Sequence, residues 1–201
     1  MRVFIAVLVL IFSLQSWTKA EDIRDFQIEG MSVGDSLLMY ETKENIDAEV
    51  KENRGTYKSN LYSRYSLRNI NSKDYYHIQV HFKTKDKNYT ISSIAGVIKY
   101  KNEFEKCKKK KKEITKDILN AFPNFRSVDH GTYSWSQDPS GKSLVSQHFF
   151  ELGTKKYNDN IGISCYDWSD EISNKYNWFD NLRVSVQTKE FDHWLIEIAN
   201  K

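Results

Sequence analysis

The chain is short of cysteine, proline and glycine, with two, two and eight of them in 201 residues. Its cysteines, Cys107 and Cys165, do not form a Cys-x-x-Cys motif, which removes the usual dithiol redox chemistry. Neither lies near the start of the chain, so the thiol of a lipid anchor is missing there. After Phe12 no apolar run reaches the length of about 18 residues that a membrane-spanning helix needs. Neither sign of charge dominates, with 30 basic and 27 acidic residues. Such a balance offers no global field to nucleic acid or anionic lipid. We expect no nucleic-acid partner, no membrane span and no cofactor.

What is present begins at the first residue. Arg2 precedes an apolar segment from Val3 to Phe12, and Thr18-Lys19-Ala20 places small residues at the −3 and −1 positions of a cut after Ala20. A charged start, a short apolar core and a small-residue cleavage site predict a secretory signal peptide over 1–20. The remainder, 21–201, is long enough for one domain with a real core and short for two. Loss of Arg2 and Lys19 brings the mature chain nearer neutrality. Abundant Lys and Asn with scarce Pro and Gly are the habit of an AT-rich bacterial genome, which makes the expected location the periplasm or the medium. In an AT-rich eukaryote Asn88-Tyr89-Thr90 would be a glycosylation acceptor.

Periodicity then sets the elements. Phe26 and Ile28 alternate with polar neighbours as in a short strand. Ser32 and Asp35 form a capping-box variant ahead of Leu37 and Leu38, predicting a short helix, and Ile46 and Val50 predict a second that stops at Gly55. Residues 56–74 read as loop, with a strand at 65–70. Tyr76, Ile78, Val80 and Phe82 alternate with His77, Gln79 and His81, and the chain turns at Asp86-Lys87-Asn88 to return as a second strand over 89–100. Phe104, Cys107, Ile114, Ile118 and Ala121 share one stripe of a helix over 102–122. Two strands, 126–137 and 142–152, meet at the turn Asp138-Pro139-Ser140-Gly141. The last strands, 161–166 and 181–188, flank a loop, and Thr188 caps a helix whose stripe is Phe191, Trp194, Leu195 and Ile198. The expected class is α+β: an antiparallel sheet of about five to seven strands, two short N-terminal helices, and a long helix and a C-terminal helix packed on one face.

Few residue patterns carry chemistry. Cys107 lies on its helix's apolar stripe, and Cys165 shares a strand face with Ile161 and Ile163, so both point into one core. In an exported chain an even pair reads as a disulfide; the alternative is two buried thiols packed as small apolar groups. Residues His77 and His81 are about 13 Å apart along a strand, too far to share one ion, and read as a solvent-facing row. His130 and His148 sit across a hairpin from one another without a third ligand, so no metal is expected. Lysines 108 to 112 encircle their helix rather than make one face, and Lys111 must snorkel out of the apolar stripe. Trp168, Tyr176 and Trp178 collect between the last two strands, where rings can stack a sugar or an apolar ligand.

Gly34-Asp35-Ser36-Leu37 resembles the first motif block of the GDSL (SGNH) esterase and lipase family. That resemblance implies Ser36 as nucleophile, with His193 beside it from Glu190-Phe191-Asp192-His193. The chain departs from the family in placing Glu190 where an Asp is expected, in lacking a Gly-x-Asn-Asp block, and in alternating over Asp25-Phe26-Gln27-Ile28-Glu29. Ile28-Glu29-Gly30-Met31-Ser32 is similar to the opening of SmpA/OmlA (BamE-like) envelope proteins. The run 26–38, with Cys165-Tyr166-Asp167-Trp168-Ser169 and Thr188-Lys189-Glu190-Phe191, resembles uncharacterised exported proteins of AT-rich marine alphaproteobacteria. It implies a bacterial envelope address and no activity. The reading is therefore an exported soluble module that binds an envelope ligand or protein without catalysis, or, alternatively, a secreted ester hydrolase acting through Ser36.

Overall fold

A seven-stranded antiparallel sheet organises the computed structural model, which describes residues 22–52, 57, 59–68, 72 and 74–199. The signal-like segment, Gly55 and Ile70 lie outside the described residues. The elements are α1 (Lys43–Glu52), β1 (Tyr62–Leu67), β2 (His77–Lys83), β3 (Ile91–Lys99), α2 (Phe104–Ala121), β4 (Arg126–Ser134), β5 (Leu144–Leu152), β6 (Asp159–Asp167), α3 (Asp170–Tyr176), β7 (Asn181–Gln187) and α4 (Lys189–Glu197). Two short 3-10 turns, Ile23–Asp25 and Leu37–Met39, precede them.

The strands run in the order β1-β2-β3-β7-β6-β5-β4. Each three-strand meander, β1 to β3 and β4 to β6, needs only local connections, and β7 inserts between them and closes the sheet. One face is aliphatic: Ile78, Val80, Ile94, Ile161, Ile163, Leu182, Val184 and Val186 pack against Ile46 of α1, Cys107 and Ile118 of α2, and Leu37. Cys107 and Cys165 form a disulfide, with Cα atoms 5.9 Å apart, that ties α2 to β6 across this core. Between β4 and β5, Gly141 takes φ +67° and donates its N–H to the Asp138 carbonyl at 3.0 Å, the conformation for which glycine costs least.

The α+β class and the antiparallel sheet are as the sequence predicts, but the helices divide between the faces. Whereas α1 and α2 cover the aliphatic face, α4 lies on the other, where Phe191 and Trp194 pack with Tyr62 in a second cluster. The reason is in β2: His81 points away from Val80 and is only 5% exposed, because its ring lies under Phe191. The predicted solvent-facing histidine row is thus covered at one end.

Smaller corrections have similar causes. Ser32 does not start a helix: its hydroxyl donates to Arg24 and Phe26 carbonyls, and Ser36 caps the following turn instead. The strand expected at Phe26 and Ile28 is an isolated bridge between Ile28 and Met31. Ile198 is exposed, since α4 has ended before it. Lys111 does not snorkel: it is 6% exposed, and its ammonium stops 3.7 Å from Asp129.

At the β1 edge of the sheet, Glu49 of α1 accepts the Ser66 N–H at 2.9 Å, occupying a donor that an edge strand leaves open. The opposite edge, β4, is exposed along nearly its whole length and carries a β-bulge between Asp129 and Gly131.

Candidate functional site

The loop expected between β6 and β7 holds a helix, α3, started by Ser169, whose Oγ accepts the Ile172 N–H, and stopped by Asn177 in the left-handed region at φ 54°. This helix places Tyr176 and Trp178 beside Trp168. Two carboxylates fix the surrounding backbone. Asp180 accepts the N–H groups of Trp168 and Asn102 at 2.9 and 3.0 Å. Asp138 accepts from the backbone and hydroxyl of both Ser140 and Ser143. These hydrogen bonds, the Ser143 hydroxyl's first, hold the Asp138 carboxyl well below the ordinary carboxylate range. Ser143 Oγ in turn accepts the Ser169 N–H at 3.0 Å, so the β4–β5 turn is tied to the start of α3.

On this frame five rings form one cluster. Trp168 stacks on Tyr166 at 5.0 Å and 16°, and Trp178 lies 4.9 Å from Trp168. Tyr176 stacks on Trp178 at 4.8 Å, and Trp135 sits 5.1 Å from Trp168 and 5.6 Å from Trp178. The outermost rings stay open, with Tyr176 45% and Trp178 41% exposed. Next to Trp168, Ser140, Lys142, Ser169, Asp170 and Glu171 line a cleft of about 290 Å³. Ring faces beside polar groups of mixed charge suit a ligand with flat apolar patches and hydroxyls.

The rings continue onto the sheet face that α4 leaves open. Arg183, Ser164 and Gln147 stand in one cross-strand row there. Gln147 donates to Ser164 Oγ at 3.2 Å and accepts from the Tyr133 hydroxyl, while Arg183 donates to Gln79 at 2.8 Å. The floor is low because Gly162 lies between Phe149 and Ser185, and a Cβ there would meet them at 2.8 and 2.9 Å.

Of the residues the sequence singled out, the structure brings together Trp168, Tyr176 and Trp178 and adds Trp135 and Tyr166. No local pattern links those two to the loop: Trp135 follows β4, and it arrives only through the pairing of its N–H with the Ser143 carbonyl at 2.9 Å. Ser36 and His193 are not brought together. Ser36 Oγ donates to the Asn88 carbonyl at 2.6 Å and accepts the Leu38 N–H, whereas His193 is exposed on α4 against the Tyr157 ring. The sheet around them is antiparallel, not the parallel sheet that the GDSL resemblance implies. Nor do His130 and His148 meet: His130 packs on Phe149 and His148 on Phe150, neighbours on opposite sides of β5. Among the described residues no three His, Cys, Asp or Glu side chains converge as metal donors, and no helix is long and apolar enough to cross a membrane.

No family model, curated protein or solved structure matches this chain.

Proposed function

We propose that this is an exported bacterial protein of the periplasm or the medium that binds a neutral, sugar-like or apolar ligand at the aromatic end of its sheet. Its signal-like N-terminus and the disulfide between Cys107 and Cys165 support an oxidising, extracytoplasmic location. The observation that carries the binding reading is the five-ring cluster, whose outer members, Tyr176 and Trp178, remain more than two-fifths exposed on a backbone pinned by Asp138 and Asp180. Rings held in this way offer a large contact area with little side-chain entropy left to lose.

The lysine run on α2 does not compete as a site. Lys106, Lys108 and Lys110 are paired with Glu103, Glu105 and Glu113, which cancels much of their field. Titration of tryptophan fluorescence with neutral oligosaccharides, followed by Trp178→Ala, tests the proposal. Loss of one stacking ring should weaken binding about tenfold, and raising salt from low to physiological ionic strength should change it little. Steep salt dependence with an unaffected Trp178 variant would place the ligand elsewhere.

A further inference from the structure

Away from the aromatic end, Ser127 and Asp129 of β4 and His148 of β5 share the sheet face that carries α2. Asp129 stands directly opposite His148 in register, and Ser127 is the diagonal neighbour. Ser127 Oγ lies 2.7 Å from His148 Nε2. His148 Nδ1 faces Asp129 Oδ1 at 3.8 Å, too long for a closed hydrogen bond. The bulge after Asp129 folds the chain back so that the Gly131 N–H donates to the same carboxylate oxygen at 3.0 Å, and Lys111 Nζ reaches it at 3.7 Å from α2. A bulge of this kind re-aims a side chain, here the carboxylate toward the imidazole.

Each ring nitrogen of His148 therefore has a different neighbour, an alcohol at Nε2 and a carboxylate at Nδ1. Hydrogen bonding by Gly131 first, with the Lys111 charge acting in the same direction, holds the Asp129 carboxyl below the ordinary range and keeps it ionised. Burial lowers the basicity of His148 against the opposing pull of Asp129, with the Lys111 ammonium and the His130 imidazole as its other titratable neighbours. A neutral imidazole donates from one nitrogen only, and an ionised carboxylate can only accept. The carboxylate on the Nδ1 side favours the tautomer with its proton there, which leaves Nε2 to accept the Ser127 O–H. His148 is 9% exposed and packs on Phe150, whereas Ser127 is open to solvent on the edge strand.

We propose that Ser127 is a nucleophile activated by His148, with Asp129 as the positioning residue, and that this site hydrolyses small esters with good leaving groups. The order alcohol, imidazole, carboxylate is that of serine acyl-transfer sites on unrelated folds. Ser127 Oγ adds to the ester carbonyl carbon while its proton passes to His148 Nε2. The bond to the leaving alcohol breaks, and the alcohol takes that proton. Water then adds to the acyl carbon and gives a proton to Nε2, the bond to Oγ breaks, Ser127 recovers the proton, and the carboxylic acid departs. Small, reactive substrates are specified because a nucleophile on an exposed strand contacts its acyl donor from one side. This activity is separate from ligand binding at the aromatic end, and either can stand without the other.

The test uses the disulfide-bonded full chain with a fluorophosphonate probe and p-nitrophenyl acetate. One label per chain is expected, located at Ser127 by peptide mass, with hydrolysis that rises as His148 loses its proton. Ser127→Ala should abolish both, and His148→Gln should slow labelling by about 100-fold or more. Asp129→Asn should slow it less and move the midpoint of the pH profile to lower pH, since the Asp129 charge favours protonated His148; a structural role alone would leave that midpoint unmoved. Thermal unfolding identifies any variant that does not fold, and the location of the label and the pH profile of the unaltered protein decide the question without it. A folded protein that is not labelled, is labelled elsewhere, or reacts at the same rate as Ser127→Ala or His148→Gln overturns the proposal.

Discussion

The ring of Phe191 on α4 lies over that of His81 on β2, with centroids 4.7 Å apart, and this contact fixes the side of the sheet that the terminal helix occupies. It also seals an imidazole away from water. Among the described residues His81 keeps a single polar contact there, 2.9 Å from Nε2 to the Tyr57 hydroxyl.

Acid should therefore weaken the fold well before the carboxylates are protonated. Burial first, then the Arg183 and Arg64 charges, lower the His81 pKa to about 3, and His77 is lowered to about 4 for the same reasons. In the unfolded chain both titrate near 6.5. Between those values the unfolded state binds more protons, so their contribution is fully present above pH 6.5 and is lost as pH falls toward the folded values. Urea unfolding at pH 7 and pH 5 should show this loss, and His81→Gln, which keeps a partner for Tyr57 and cannot titrate, should flatten the slope.

Breaking the staple between α2 and β6 should cost more than any surface change. The bond spans a sequence separation of 58, for which chain entropy predicts about 4 kcal/mol. Protein alkylated without reduction should show no free thiol by mass. The double variant Cys107→Ala, Cys165→Ala should unfold at clearly lower denaturant.

Trp194→Ala should destabilise by about 3–5 kcal/mol, because the ring is 2% exposed among Tyr57, Tyr62 and Phe191 and its Nε1 donates to Ser59. Ser36→Ala should cost about 1 kcal/mol, the loss of a cap, and leave ester hydrolysis unchanged. Equal effects of the two substitutions on the unfolding midpoint would contradict the packing described for α4.

Gly162→Ala should destabilise by about 1–3 kcal/mol, since a new Cβ would press on the Phe149 ring and Ser185 Oγ in mid-sheet. Gly131→Ala meets no atom within 4 Å. Its penalty should come from the positive φ of 67° alone. Denaturation midpoints of the two variants separate packing from backbone conformation.

The cysteine pair and the hairpins were legible in the sequence because both follow from local periods, a helical stripe for Cys107 and an alternation for Cys165. The position of α4 was not. Alternation in β2 shows that Ile78, Val80 and Phe82 face a core, but it is silent on whether the opposite face meets water or a second helix. The candidate sites divide along the same line. Trp168, Tyr176 and Trp178 are close in the chain, so their cluster was visible, while Trp135 and Tyr166 join it only through strand pairing. Ser127, Asp129 and His148 depend on the register of β4 against β5 and on a bulge, and neither is encoded in any short motif.

The two edges of the sheet differ in one further respect. At β1 the Ser66 N–H is occupied by Glu49, whereas β4 lies open to solvent. If two copies joined through their open β4 strands, the joined sheet would end at each side in a β1 whose Ser66 N–H is already taken by Glu49. Addition of β4 to β4 uses up both open β4 edges, so growth by that route stops at two chains.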